Sequence, residues 1–203
     1  MKKVILLLVV ALSVVTASAQ IKVGLNGGVG IPMGTFGDVF NTGFGGGISG
    51  EYLITPNISI GLNAGIYSFG MKDELLDLFG MEDMDGIDLG DLLDMSAKFQ
   101  ITPITLTGKY YFITEGGIKP YAGLDLGLYS SKTKVTVKVL GISQSADAGS
   151  STDFGLAPVV GLQFGLTDAL AIDVNAKYHH IFTEGEATSF IGFNLGLVYT
   201  FGK

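Results

Sequence analysis

The sequence contains no cysteine and no tryptophan, and only 15% of its 203 residues are charged. Without cysteine, disulfide bonds and thiolate metal centres are excluded. A typical soluble domain has about 25% charged residues, so this chain is poor in charge, and its mean hydropathy is +0.47. Its formal net charge of −7 excludes the basic surplus that is expected of nucleic-acid-binding proteins.

A single long apolar run lies near the N-terminus. Lys2 and Lys3 precede the apolar residues 4–15, which are followed by Ala17-Ser18-Ala19. A basic start, a short apolar run and a small-x-small site are typical of a secretory signal peptide, and the run is too short for a membrane-spanning helix. We therefore predict that residues 1–19 are a signal peptide and that residues 20–203 form one exported domain.

The rest of the chain repeats a two-residue period. In SFIGFNLGLVYTF, residues 189–201, apolar residues alternate with small or polar ones, which predicts a β-strand with two different faces. The same pattern predicts eight strands at about 21–31, 43–54, 58–69, 99–112, 119–129, 153–166, 169–182 and 189–201. We expect the fifth strand to continue through 132–140, a polar loop to follow at 141–151, and a bulge to lie near Pro103, where the apolar parity shifts. Alternating short and long connections are typical of an antiparallel up-and-down barrel in an outer membrane.

The second face of the predicted strands is rich in glycine. Small residues suit the narrow interior of an eight-stranded barrel, whereas they would only weaken a strand exposed to water. This favours an apolar face turned to lipid over the main alternative, a soluble lipocalin-like barrel with an apolar interior. The aromatic residues predict two interfacial girdles. One comprises Tyr52, Tyr110, Phe112, Tyr199 and Phe201, and the outer one comprises Phe69, Phe99, Tyr129, Phe154, Tyr178 and Phe190.

With its leader, eight alternating strands and terminal LVYTF, the sequence resembles the eight-stranded outer-membrane β-barrel superfamily of Gram-negative bacteria, of the OmpA transmembrane domain, OmpX and OmpW kinds. The segment ITPITLTGKYYF…IKPYAGLDLGLY is also similar to small porin-like proteins of Bacteroidetes. The resemblance implies an all-β, eight-stranded antiparallel transmembrane barrel in the cell outer membrane. It implies contact with outer-membrane lipid and lipopolysaccharide, and insertion by the barrel-assembly machinery. We expect a monomer without a cofactor.

Six charged residues fall on the predicted inward face. They are Lys22, Glu51, Lys109, Asp125, Asp173 and Lys177. Because buried charges need partners, we predict that these six pair with one another in a network that fills the closed barrel. The alternative is a narrow path for ions or protons.

The insertion at residues 71–98 combines acidic residues with leucine and methionine. Its helical spacing predicts one or two short amphipathic helices. They would pack over the barrel mouth, or form an adaptable surface for a hydrophobic ligand or an extracellular protein. The candidate contact residues there are Phe79, Met81, Asp83, Met84, Asp85 and Asp88.

Three further candidates, Lys132, Lys134 and Lys138, alternate along the extension of the fifth strand. This pattern predicts an exposed hairpin outside the membrane. The lysines would meet either the acidic insertion, since the fourth and fifth strands are neighbours, or lipopolysaccharide phosphates.

The sequence offers little for catalysis. His179 and His180 are consecutive, so on a strand they point to opposite faces and cannot share a metal. No motif links a serine to either histidine, and we expect no enzymatic activity. We therefore expect a structural or surface-interaction role through the extracellular loops. The first alternative is a small porin or transporter for hydrophobic or small solutes. The second alternative is the soluble lipocalin-like binding barrel.

Overall fold

The structure is a computed structural model that describes residues 20–72, 93–139 and 142–202. Eight antiparallel strands follow one another around a closed barrel, in which β8 pairs with β1. The strands are β1 (Ile21–Met33), β2 (Gly43–Leu53), β3 (Ile58–Gly70), β4 (Leu93–Tyr111), β5 (Ile118–Val139), β6 (Ile142–Gly165), β7 (Leu170–Ile181) and β8 (Thr188–Phe201). The predicted fold class is confirmed. A short helix, α1 (Thr35–Val39), follows β1, and no helix in the described ranges is long and apolar enough to cross a membrane.

The connections differ at the two ends of the barrel. At one end, the short-turn end, β2–β3, β4–β5 and β6–β7 are joined by a few residues each. In two of these turns a threonine hydroxyl accepts two backbone N–H groups: Thr55 from Asn57 and Ile58, and Thr167 from Ala169 and Leu170. The opposite end, the long-loop end, carries α1 and the insertion.

The apolar face of the strands points outward. Phe44, Leu106 and Leu25 are 72%, 67% and 66% exposed, while the charged residues Glu51 and Asp125 are buried inside. A continuous apolar outside around a polar inside suits lipid as the surrounding solvent. The predicted orientation of the two faces is confirmed, and the lipocalin-like alternative is wrong.

Strands β4 and β6 are longer than predicted at the long-loop end. β4 begins at Leu93, inside the predicted insertion, and β6 begins at Ile142, inside the predicted polar loop. The prediction that β5 continues beyond residue 129 is confirmed, since β5 and β6 form one long hairpin. The helices predicted in the insertion fall mainly on residues 73–92, which lie outside the described residues.

The predicted bulge at Pro103 is wrong. The register of β4 with β5 is continuous from Leu93 to Tyr111, with Pro103 opposite Tyr129. The apparent change of parity arises because Ile101, an apolar residue, points inward and is fully buried. The register shift lies instead between β5 and β6, at Lys132/Lys134.

The predicted aromatic girdles are only partly correct. The five aromatic residues assigned to the short-turn end are all exposed, between 43% and 59%. Of the outer six, Phe154 and Tyr178 are exposed, but Phe69, Tyr129 and Phe190 are buried inside the barrel. Phe99 packs against the same buried residues. Phe69, Tyr129 and Phe190 occupy the alternate strand positions that face inward. Their side chains therefore lie inside the barrel, although their height along the barrel is that of the outer girdle.

Candidate functional site: the barrel interior and the projecting sheet

The short-turn half of the interior is centred on Glu51. Its carboxylate forms an ion pair with Lys109, and it accepts hydrogen bonds from Ser59 Oγ at 3.0 Å and from the Tyr111 hydroxyl at 3.1 Å. All four residues are buried. They come from three neighbouring strands: Glu51 from β2, Ser59 from β3, and Lys109 and Tyr111 from β4. A carboxylate with three donors is a satisfied buried charge.

Lys22 and Asp173 use neutral partners. Lys22 Nζ donates to Gln163 Oε1 at 3.0 Å and lies 4.0 Å from the centre of the Tyr111 ring. Asp173 accepts from the Tyr121 hydroxyl at 3.0 Å and from Asn175 Nδ2 at 2.6 Å. The prediction that all six charges pair with one another is therefore wrong for these two residues, whose hydrogen-bond partners are neutral side chains.

A second ion pair lies further toward the long-loop end. Lys177 Nζ is 2.7 Å from Asp125 Oδ2, which also accepts from Asn63 Nδ2 at 3.0 Å. Asn194 continues the polar chain, since its Oδ1 accepts from the Tyr67 hydroxyl at 2.9 Å. We call the six charged residues and these partners the inner charged network.

The long-loop half of the interior has a different filling. An outer aromatic cluster, in which α1 contributes Phe36, comprises Phe36, Tyr67, Phe69, Ile101, Tyr129, Ile181 and Phe190, with Phe40 and Phe99 packed against it. Phe36 lies edge-on to Phe69 with 5.1 Å between ring centres. The cluster lies across the barrel bore at the long-loop end.

His179 lies where the two fillings meet. Its ring stacks on Phe190 with 4.3 Å between centres, and its Nδ1 is 3.1 Å from the Tyr129 hydroxyl. Its Nε2 is buried without a hydrogen-bond partner in the described part of the chain. Sequence reasoning placed His179 and His180 on opposite faces but did not identify the contacts of His179.

Inward glycines make room for the inward tyrosines. A Cβ atom added to Gly161 would lie 2.5 Å from the Tyr121 hydroxyl oxygen, and one added to Gly155 would lie 2.7 Å from Tyr129 Cε2. Each glycine is on the strand next to that of its tyrosine. The inward glycines therefore leave room for the large tyrosine rings, and they also allow the strands to enclose a narrow bore.

The interior leaves little free space. A cavity between Glu51, Lys109, Asp173 and Lys177 measures 20 Å³, about enough for one water molecule. By contrast, the short-turn end opens into a polar basin of 940 Å³, with Lys22, Tyr111 and Gln163 among its lining residues. No metal-ligating group of three residues occurs in the described ranges. The arrangement can hold the barrel rigid and admit water from one end.

Strands β4, β5 and β6 continue beyond the barrel as a three-stranded projecting sheet, the part of these strands beyond Gly70 of β3 and Ile181 of β7. Lys132 and Lys134 lie on it and are exposed. Lys138 is the register partner of Asp94. The other predicted contact residues, Phe79, Met81, Asp83, Met84, Asp85 and Asp88, lie outside the described residues.

A closed barrel with an apolar outside and a filled, charge-paired inside defines an integral β-barrel protein of the outer membrane. The chain belongs to the outer membrane protein beta-barrel domain family, whose profile matches residues 4–201. Because such barrels have short periplasmic turns and longer extracellular loops, the short-turn end faces the periplasm and the long-loop end faces outside.

Solved structures agree on the fold. Neisserial surface protein A is 16% identical, with a TM-score of 0.53 over 91% of this chain and 100% of that chain. OprG from Pseudomonas aeruginosa is also 16% identical, with a TM-score of 0.53 over 92% of this chain and 97% of that chain. At this identity the likeness concerns the fold alone. A comparison with curated proteins finds no match.

Proposed function

We propose that this outer-membrane barrel is a surface-interaction protein whose contact surface is the projecting sheet. The observation that carries the proposal is strand length. β4, β5 and β6 have 19, 22 and 24 residues, whereas the other five strands have 11–14. A strand needs only about 9–11 residues to cross the membrane, so about half of each long strand is available outside it.

The edges of the projecting sheet suit an extended partner. β3 pairs with β4 as far as Gly70–Lys98, and β7 pairs with β6 as far as Gly155–Ile181. Beyond these pairs, no strand in the described ranges covers the outer edges of β4 and β6. Unpaired strand edges present N–H and C=O groups to which another extended segment can add. A partner chain binding in β-strand form is therefore the mode that this sheet favours.

The interior supports a structural role for the barrel itself. The inner charged network and the outer aromatic cluster fill successive levels of the bore, and both would have to be displaced before a solute could pass. We infer that they keep the barrel closed and rigid beneath the contact surface. The hydroxyl groups that contact a base inside the barrel, Ser59 on Glu51 and Tyr129 on His179, are fully buried in this filled interior, so the proposal contains no catalytic step.

The test is site-specific photo-crosslinking on intact cells. A photoreactive residue at Ser145, in the part of β6 that pairs with β5 beyond the last pair of β6 with β7, should give a crosslinked adduct that mass spectrometry identifies as an extracellular polypeptide. The matched control is the same residue at Thr167, in a periplasmic turn, which should give a different product. Replacing residues 135–146 by an Asn-Gly turn should abolish binding of the identified polypeptide while the barrel still folds. No adduct at Ser145, or undiminished binding by the shortened variant, contradicts the proposal.

The alternative is a small porin or transporter, and the 940 Å³ basin at the periplasmic end is the observation that favours it. Planar-bilayer conductance separates the two functions. We expect the intact protein not to conduct, because the basin ends at Lys22, Tyr111 and Gln163 beneath the filled bore. Steady single-channel conductance of the unmodified protein would favour the porin.

A further inference from the structure

A serine and a histidine are in contact on the outward face of the barrel. His180 of β7 is the register partner of Ser189 of β8, and Ser189 Oγ lies 2.9 Å from His180 Nδ1. Both side chains point outward, because their neighbours His179 and Phe190 are buried in the bore and successive residues of a strand alternate between faces. The two residues are nine positions apart, so the strand register, rather than a local motif, brings them together.

This contact has the geometry of a nucleophile with its general base. In the imidazole tautomer that carries its hydrogen on Nε2, Nδ1 accepts the hydroxyl hydrogen of Ser189. A hydroxyl group and a base within hydrogen-bond reach are the basic arrangement of nucleophilic catalysis by serine. Unlike the hydroxyl groups inside the filled bore, this one lies on the surface that faces the membrane.

The pair lies at the outer boundary of the membrane. His180 is ten residues beyond Leu170, the first residue of β7 at the periplasmic end. With about 3.4 Å per residue and a strand tilt of about 40°, His180 lies about 26 Å above Leu170, and the apolar band of such a barrel is about 25 Å tall. Tyr178, Phe182 and Phe154, which are exposed around His180, are the aromatic residues expected at this interface. The ester linkages of membrane lipids lie at the same level, between the acyl chains and the headgroups.

Aromatic rings fix the position of the imidazole. Phe182 lies edge-on to His180, with 4.9 Å between ring centres, and Tyr178 stacks on it with 6.3 Å between centres. Phe154 in turn stacks on Phe182 at 6.2 Å. Ser189 is the hydrogen-bond partner of His180 within the described part of the chain, so packing, rather than a carboxylate, orients the base there.

We propose that Ser189 and His180 form a hydrolytic site for a carboxylic ester, namely the ester of a long-chain fatty acid in an outer-leaflet lipid. Leu156 is the other register partner of His180, and Met33 is that of Ser189. These two apolar side chains flank the pair in the same outward row, so an acyl chain lying against them would bring its ester linkage level with the hydroxyl group.

The reaction needs only water as a second reactant. Ser189 Oγ would attack the ester carbonyl carbon while His180 Nδ1 takes the hydroxyl proton. As the bond between the carbonyl carbon and the alcohol oxygen breaks, His180 returns the proton to that oxygen, which leaves the acyl group on Ser189. Water then attacks the acyl carbon, with His180 taking a proton from it and passing a proton to Oγ. The products are the free fatty acid and the lipid alcohol.

Turnover should be slow. In a serine protease, loss of the carboxylate that orients the histidine lowers kcat by about 10⁴-fold. The first covalent step is therefore the best readout, because it requires the nucleophile and the base but not rapid turnover. The inference goes beyond the proposed contact function and does not depend on it, since the pair lies on β7 and β8 and the projecting sheet is formed by β4, β5 and β6.

The experiment treats the folded full-length protein in detergent micelles with a long-chain alkyl fluorophosphonate, which phosphonylates activated serines. We expect mass spectrometry to locate the label on Ser189. Ser189→Ala should abolish labelling, and His180→Gln should slow it about 100-fold, the lower range of general-base catalysis. Release of fatty acid is then measured from a phospholipid and, separately, from an ester-acylated glycolipid. Release from either lipid that depends on Ser189 supports the proposal and identifies the lipid that carries the ester.

Two controls separate catalysis from structure. Ser68 is also an exposed hydroxyl residue near the outer end of its strand, but its register partners are Phe44 and Gln100, which are not bases. Ser68→Ala should leave labelling unchanged. In His180→Ala, added imidazole should restore part of the labelling rate, which a merely structural role of the histidine would not permit. The gel mobility of unboiled samples verifies that every variant is folded.

Three results would overturn the inference. Ser189 of the unmodified, folded protein could remain unlabelled, or His180→Gln could be labelled as fast as the unmodified protein. The third is that neither lipid releases fatty acid in a Ser189-dependent way. Each result would mean that the contact between Ser189 and His180 is only a hydrogen bond between neighbouring strands.

Discussion

The two halves of the barrel interior solve the same packing problem with different chemistry. Toward the periplasm the bore is filled by the inner charged network, centred on Glu51 with its three donors. Toward the outside it is filled by the outer aromatic cluster, in which Phe69 and Phe190 are fully buried. Buried charges depend on each individual partner, whereas packed rings depend on shape and contact area. The difference implies that the inner half responds to loss of one charge and the outer half to loss of volume.

The largest expected effect comes from breaking the central ion pair. Lys109→Met leaves the buried Glu51 carboxylate with only Ser59 and Tyr111 as donors. Removing one partner of a buried pair costs about 3–5 kcal/mol. Urea unfolding in lipid vesicles, followed by the mobility of unboiled samples, measures the loss. Adding Glu51→Gln to the same chain should recover part of it, and no recovery would show that the carboxylate is not the cause.

Removing one ring of the outer aromatic cluster should have the next largest effect. Phe69 is fully buried, with ring centres 5.1 Å from Phe36 and 5.3 Å from Phe190. Phe69→Ala should reduce the free energy of unfolding by about 3 kcal/mol through lost contacts and the cavity left behind. The control Phe44→Ala alters a side chain that is 72% exposed to lipid and should cost much less in the same urea series. Equal losses would mean that the cluster is loosely packed.

A smaller effect is expected where a ring lies against a glycine. In Gly161→Ala the new methyl group would lie 2.5 Å from the Tyr121 hydroxyl oxygen, so the ring must shift, which disturbs its hydrogen bond to Asp173. Overpacking of this kind costs about 1–3 kcal/mol. Gly27→Ala is the matched control, because its new methyl group would lie 3.7 Å from the nearest atom, the Gly45 carbonyl oxygen, which is an ordinary contact distance. Calorimetric or urea midpoints that fall equally in both variants would contradict the role of Gly161.

The smallest effect should come from Lys22. Lys22→Met removes a hydrogen bond to Gln163 and the contact with the Tyr111 ring, but it leaves no buried carboxylate without its ion-pair partner. The lost ammonium–amide hydrogen bond and cation–π contact are partly offset because the ammonium group no longer has to be desolvated, so a net loss of about 1 kcal/mol is expected. Comparison with Lys109→Met under identical conditions tests whether the loss of stability depends on the broken ion pair or only on the burial of the lysine. Equal decreases in the free energy of unfolding would favour burial alone.

The alternation of apolar residues with small or polar ones allowed most of the fold to be predicted from the sequence. Each strand has one face toward lipid and one toward the bore, and these surroundings select different residue types at every second position. The inward position of Lys22, Glu51 and Asp125 follows from the same parity. Contacts between inward residues depend on which non-neighbouring strands lie opposite each other across the bore. The two-residue period of the sequence carries no information about that arrangement.

The outer aromatic cluster was missed for a physical reason. Girdle residues were assigned by their height along the barrel, although Phe69, Tyr129 and Phe190 have inward parity. Parity alone could have identified these residues as interior. The contact of His179 with Phe190 and Tyr129 joins strands β7, β8 and β5, and the last of these is not adjacent to the other two, so only the closed barrel reveals it.

The length of β6 was missed because its alternation is interrupted. The register of β5 and β6 shifts between Lys132 and Lys134, and Gly149 nearby has a φ of +128°. A bulge places one extra residue in a strand and reverses the side-chain parity beyond it. A serine-rich segment with reversed parity has the appearance of a polar loop in the sequence, and residues 142–151 were predicted as one.

The pairing of β1 with β8 has a consequence for how the protein is made. Ile21 pairs with Phe201, and the seam continues to Met33 and Ser189. Closing contacts between the most distant parts of the barrel makes folding slow, since the entropy of loop closure must be overcome before the contacts form. Until β8 is in place, β1 has an unpaired edge. The barrel therefore keeps an open strand edge until its last strand pairs with its first, and an open edge of this kind favours aggregation.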